Sequence, residues 1–301
     1  MQTLKLTTSI LFATLTAATL IAQAAQPAPA PTRFTVVTEG SATGQPILLL
    51  PGLTSSRAVF DAEAKLLAPT HRLYRVQING FSGQPAGPNA TGPLLLPIVD
   101  ELHQYLAANH LHPAVIGHSL GGLLGLMLAQ SHPEDVQKLL VVDSLPFYAL
   151  VFSPHATVEA VLPQASAMRD AMLKSTPEAY SAQATQTASY LVLDPAAQKL
   201  VAASSIASDR NVMVNAMYED LITDIRPTLP SIQTPVTLLY PYDAAAVGPD
   251  PTSIDTLYKS AYATLPHLTI HRIDASRHFI MYDQPALFDA QVQTFLTPAA
   301  K

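Results

Sequence analysis

The period of apolar and polar positions changes several times along the chain, and those changes divide it into elements. Ile47-Leu48-Leu49-Leu50 before Pro51-Gly52, Leu73–Ile78 before Asn79-Gly80, and Ala114-Val115-Ile116 before Gly117 are short runs, apolar almost throughout, each closed by turn residues. Runs of this kind suit strands buried on both faces of a parallel sheet. Val136–Val142, Val236–Tyr240 and Leu268–Ile273 repeat the pattern, and Arg33–Thr38 fits an edge strand. Helical spacing lies between them, over Arg57–Leu67, Leu94–Asn109, Leu120–Gln130 and Pro285–Leu296. Strand and helix therefore alternate, which predicts an α/β fold with a mainly parallel central sheet flanked by helices.

One block breaks the alternation. From Ser144 to about Ser231 no strand-like run occurs, and Val158, Val161, Leu162, Ala165, Met168, Met172 and Leu173 fall at helical spacing. The block sits between the fourth and fifth core strands. Residues 144–231 are therefore expected to form a helical cap over one end of the sheet, with the core built from 26–143 and 232–301.

The first 25 residues have a different pattern. Lys5 is their only charge, an apolar stretch rich in Leu, Ala and Thr follows, and Ala22-Gln23-Ala24 precedes a Pro/Ala linker. A basic start, an apolar middle and a small-residue cleavage site describe a secretory signal peptide, cut after Ala24 or Ala25. The expected location is the periplasm or the medium, with no stable membrane span once the leader is removed.

Composition narrows the chemistry. The 301 residues are 49% hydrophobic and 13% charged, with a net charge of −6 and no cysteine. That amount of chain can bury one large core. An acidic balance offers no basic surface to nucleic acid. Without cysteine there are no disulfides, thiolate metal sites or Cys nucleophiles. His110-Leu111-His112 is a lone pair at a helix end rather than a ligand set, so neither a metal nor a cofactor is expected.

Candidate chemistry gathers around one serine. Only 12 glycines occur in the chain, yet four of them lie between positions 117 and 125, in Gly117-His118-Ser119-Leu120-Gly121-Gly122 and at Gly125. The stretch follows a strand and opens a helix, the context in which a G-x-S-x-G turn exposes its hydroxyl at the C-terminal edge of a sheet. The backbone N–H of Leu120 then points to where an oxyanion forms. A second donor is expected from Leu53, freed by a sharp turn at Gly52. A serine needs a base, and the base needs an orienting acid. His278, just past the last core strand, is the best placed of the ten histidines. Asp243, after the fifth core strand, is the expected acid; Asp143, ending the strand before the insertion, and Asp250, farther into the loop, are the alternatives. His118, Phe147, Tyr148, His155 and Phe279 are candidates to line a pocket.

With these residues placed, the chain resembles the α/β-hydrolase family over nearly everything after the leader. The resemblance implies a serine hydrolase with the triad Ser119, Asp243 and His278 and an oxyanion loop at Pro51-Gly52-Leu53, where proline stands for the family's histidine. The family's usual Gly-x-x-Asp at the acid's strand is replaced by Pro241-Tyr242-Asp243, so the acid departs from the pattern. The reaction implied is cleavage of a carboxylic ester through an acyl-enzyme. Few charges in the insertion suggest a small apolar or aromatic ester. C–C bond hydrolysis, lactone hydrolysis and perhydrolysis by the same groups stay open, as does a non-catalytic ligand-binding protein on this fold. Oligomeric state is not legible.

Overall fold

The computed structural model describes residues 30–297; the expected leader and its cleavage site lie outside them. Seven strands make one sheet: β1 (Phe34–Gly40), β2 (Gln45–Leu50), β3 (His71–Ile78), β4 (Ala114–His118), β5 (Lys138–Val142), β6 (Val236–Tyr242) and β7 (Leu268–Asp274). Their spatial order is β1-β3-β2-β4-β5-β6-β7. β1 runs antiparallel to β3 and every other pair is parallel. The run read as Val136–Val142 starts two residues later, because Pro133–Asp135 forms a 3-10 turn ahead of it.

Eleven helices surround the sheet among the described residues. They are α1 (Asp61–Leu67), α2 (Leu95–Ala108), α3 (Leu120–Ser131), α4 (Val158–Lys174), α5 (Pro177–Leu191), α6 (Pro195–Ala207), α7 (Arg210–Ile222), α8 (Ala244–Val247), α9 (Thr252–Ala261), α10 (Ile280–Asp283) and α11 (Pro285–Leu296). Every residue of α3 from Leu120 to Ala129 is buried. A helix apolar on all sides belongs inside the core, and here it lies against β4 and β5. Gly121 is what permits this: a Cβ there would collide with the carbonyl oxygen of Leu50 on β2.

The block between β5 and β6 contains α4 to α7. Each of these helices starts on a side-chain cap, from Thr157, Thr176, Asp194 and Asp209 in turn. Such caps are worth about 1 kcal/mol each, and they give definite ends to helices with few apolar positions. The block is tied to the strand-end loops by Gly83 N–H to Ala207 O (3.0 Å), Asp209 N–H to Gly80 O (2.7 Å) and Ser204 Oγ to Thr54 O (3.0 Å). Its two ends are part of the main core rather than of a separate layer: Phe147, Ala149 and Leu150 at one, Ile225 and Leu229 at the other, all pack there. No described helix is long and apolar enough to cross a membrane.

Candidate active site

The strand register brings the candidate residues together. β4 and β5 pair to the end, His118 opposite Val142, so the next residues, Ser119 and Asp143, leave neighbouring strands side by side. The ladder continues through both, with Ser119 N–H to Val142 O at 2.9 Å and Asp143 N–H to Leu239 O at 2.8 Å. Both then turn through left-handed backbone, Ser119 at φ 53° and Asp143 at φ 46°. Ala275, opening the loop after β7, does so at φ 52°. Non-glycine residues in this region each cost about 1–3 kcal/mol and persist where the surroundings over-determine them. Strain is thus gathered along the C-terminal edge of the sheet.

His278 sits in that last loop, and its Nδ1 lies 2.6 Å from Asp143 Oδ2. The other carboxylate oxygen of Asp143 accepts from the hydroxyl of Tyr258. Burial, and next the charge of Asp143, hold the Tyr258 phenol far above its usual range, so it stays a neutral donor. Asp143 is 9% exposed, and its carboxylate is held on both oxygens. The acid expected at Asp243 is instead used otherwise: its Oδ2 pairs with Arg277 Nε at 2.8 Å and its Oδ1 accepts from Ala245 N–H at 3.1 Å, capping α8. The register explains the difference. Val142 faces Leu239 on β6, so Asp243 lies one strand farther out and four residues past the paired position. Asp250 is exposed and caps the start of α9 through Thr252. Tyr258 escaped the sequence reading altogether, since no element was expected between β6 and β7. Its signal was present in Ile254, Leu257, Tyr258 and Ala261, spaced as one helical face.

Ser119 and His278 line the same two cavities. Among the described residues the Ser119 hydroxyl makes no hydrogen bond, and neither Leu53 N–H nor Leu120 N–H has a protein acceptor. Leu120 is buried at the head of α3, so its free donor is an orphan next to the serine. Gly52 acts differently from expectation. A Cβ there would sit 2.9 Å from Ser119 Cβ and 3.0 Å from His118 Nδ1, so glycine is required by close approach. The left-handed residue of that turn is Thr54 (φ 58°), and Ser55 N–H closes it onto Gly52 O at 3.1 Å.

His118 is wholly buried against His278 and Phe279, ring centroids 4.6 Å from each. Burial, then the neighbouring His278, push its pKa well below normal. Neutral, it donates from Nε2 to His278 O at 3.0 Å, which fixes the loop that carries His278 and leaves Nδ1 unpaired among the described residues.

Two cavities open from the serine. One, about 260 Å³, runs under Tyr242 and Val247; the other, about 280 Å³, lies beneath α4 to α7 and is lined by Met168, Met172, Met213 and Met217. Of the expected pocket residues, Tyr148 lines both, and His118 and Phe279 line the second. Phe147 does not reach either: it is fully buried in the core, with the Arg226 guanidinium 4.8 Å from its ring centre. His155 is exposed on the loop before α4 and lines neither cavity. No metal set was expected, yet His103, His132 and Asp135 come together with ligand atoms within 4.8 Å of one another. The two rings stack face to face at 3.7 Å rather than turning their edges to a shared ion, and His103 Nδ1 is bonded to Asp135 at 2.8 Å. The group lies at the far end of α3 from Ser119.

Comparison with known proteins agrees with this architecture. A family model described as "Alpha/beta hydrolase family" matches residues 47–291. A Yersinia enterocolitica protein named "Putative carbamate hydrolase RutD" is 32% identical over 38% of this chain, which spans only 41% of that protein. A protein of the same name from Azorhizobium caulinodans is 26% identical over 84% of this chain and 91% of its own. Among solved structures, a hydrolase from Pseudomonas aeruginosa superposes with a TM-score of 0.70 at 19% identity, covering 88% of this chain and 94% of that one. The enol-lactonase of Burkholderia xenovorans gives 0.69 at 16% identity, over 90% and 100%. At such identities the structures speak for the fold alone, whereas the family model spans most of the chain: this protein belongs to the alpha/beta hydrolase family.

Proposed function

We propose that the protein is a serine hydrolase that cleaves a carboxylic ester through an acyl-enzyme on Ser119. One observation carries the reading: His278 turns Nδ1 to Asp143 at 2.6 Å, leaving Nε2 as its free nitrogen in a cavity it shares with Ser119. Asp143 holds the imidazole in the tautomer with Nδ1 protonated. Nε2 takes the Ser119 proton as Oγ attacks the carbonyl, and the N–H groups of Leu53 and Leu120 receive the oxyanion. Donors placed in this way each lower the barrier by about 3 kcal/mol. His278 then returns the proton to the departing alcohol, and a water activated by the same nitrogen frees the acid. The apolar cavity beneath α4 to α7 suits the acyl chain. Apo nucleophile–base contacts are commonly long and tighten with substrate, so the unbonded Ser119 hydroxyl fits the reading.

Hydrolysis of p-nitrophenyl esters of two, four, eight and sixteen carbons, run beside Ser119→Ala, tests it. A fall of about 10⁴-fold or more in kcat for the variant is expected. Folded protein that turns over no ester and ignores a fluorophosphonate would sink the reading in favour of a ligand-binding role. Export is part of the same proposal, and the mass of protein recovered from the periplasm would locate cleavage at Ala24 or Ala25.

A further inference from the structure

The two cavities share a short wall, and Asp220, near the end of α7, stands on it beside Tyr148, Ser119 and His278. Three carboxyls line these cavities. Asp143 is held by His278 and Tyr258, and Asp243 by Arg277 and the head of α8. Asp220 alone has no hydrogen-bond or ion-pair partner among the described residues. No lining arginine or lysine is free to answer it: Arg277 is spent on Asp243 and on Ser189 O at 2.7 Å, His278 is bonded through Nδ1 to Asp143 at 2.6 Å, and His118 is buried and neutral. Removal from water pushes the Asp220 carboxyl up to about 7, against the opposing pull of His278.

The aromatic side chains nearby show the same imbalance. Arginines of the protein itself lie over Phe147, Tyr180 and Tyr218. Tyr148 and Phe152, which meet edge to face at 6.0 Å on the wall of the larger cavity, carry none. They are 37% and 59% exposed. An unpaired carboxyl beside uncovered aromatic rings in a mainly apolar cavity is the chemistry that receives an organic cation, since the rings attract a poorly hydrated cation and the carboxylate neutralises it.

We propose that Asp220, Tyr148 and Phe152 form a cation subsite of the catalytic cavity, so that the preferred substrates are esters carrying a quaternary or protonated amine a few bonds from the scissile carbonyl. The proposal rests on Ser119 being the nucleophile. It also disfavours substrates that carry a carboxylate, which would meet Asp143 and Asp220 with no unpaired lining arginine or lysine to neutralise them.

The test pairs butyrylthiocholine with its uncharged isostere, S-(3,3-dimethylbutyl) thiobutyrate, and follows the released thiol. Wild-type protein is expected to favour the charged ester by about tenfold or more in kcat/KM, and Asp220→Asn to bring that ratio towards one. Phe152→Leu should lower the ratio by a smaller factor. Equal use of the two esters, or a ratio unmoved in Asp220→Asn, overturns the subsite while leaving the esterase reading intact. Calorimetric titration of Ser119→Ala protein with hexyltrimethylammonium, with and without Asp220→Asn, reads the subsite without turnover. Binding that depends on Asp220 supports it even if no ester is cleaved, and binding indifferent to Asp220 overturns it.

Discussion

Asp143 follows β5 and Asp243 follows β6, both at the C-terminal edge of one parallel sheet and both near the loop that carries His278. Their neighbourhoods separate them. Asp143 stands beside Ser119 in register, has left-handed backbone, and accepts from an imidazole and a buried phenol. Asp243 opens a helix and neutralises Arg277, the arginine next to His278. Which donors reach a carboxylate, more than its place in chain order, decides what it does. Glu63 shows the opposite limit: it is 1% exposed, and neither oxygen has a hydrogen-bond partner.

The comparison breaks most directly by exchanging each carboxylate for its amide. Asp143→Asn should lower kcat on p-nitrophenyl butyrate by about 10⁴-fold, because the amide no longer stabilises the imidazolium and can favour the wrong tautomer. A loss of that size in Asp243→Asn instead would reverse the assignment.

Glu63→Gln sharpens the contrast with an unpartnered carboxyl. Burial first, and the charge of Asp289 in addition, raise the Glu63 pKa from 4.5 to about 7, against the opposing charge of Arg75. The folded protein thus keeps this proton to higher pH than the unfolded chain, so stability is lost as pH rises from about 4.5 through about 7. Relative to wild type, the glutamine variant should gain on the order of 3 kcal/mol between pH 4 and pH 8. Thermal or urea unfolding across that range checks it, and a flat difference would mean that Glu63 finds a partner in solution.

Tyr258→Phe removes one donor from Asp143 and leaves its volume in place. A hydrogen bond to a charged group is worth about 1.5–3 kcal/mol, and part of that should appear as a fall in kcat of about tenfold with KM little changed. Steady-state kinetics separate the two constants. An unchanged kcat would mean that His278 alone positions Asp143.

Asp243→Asn should have the smallest effect, below about threefold in kcat and about 1 kcal/mol in stability. Asparagine still caps α8, so only a partly exposed ion pair is lost. A thermal melt beside the kinetics reads both.

The parallel sheet, the flanking helices other than those between β6 and β7, the helical block between β5 and β6, the serine turn and the place of His278 just past the last strand were legible as sequence. Each depends on a local rule: buried strands read as continuous apolar runs, helices show their period, and glycines crowd where a strand meets a helix. The acid was not legible, because the choice between Asp143 and Asp243 turns on the offset between β5 and β6, which no window of sequence contains. Even so, Asp243-Ala244-Ala245-Ala246 reads as an N-cap, and Arg277 beside His278 offered it a partner. Phe147 was misplaced for a related reason, since an aromatic side chain at the start of an insertion can face the core or the pocket with the same local pattern.

By itself, then, the sequence determined the order of elements and the two residues whose positions follow directly from strand ends, because backbone geometry and apolar burial act over a few residues. Tertiary structure alone decided which carboxylate meets His278, that Gly52 serves close approach, and that Asp220 lines the cavities of Ser119 with no partner among the described residues. Those outcomes depend on contacts between segments tens to more than a hundred residues apart, where neighbouring strands and packed helices set the distances.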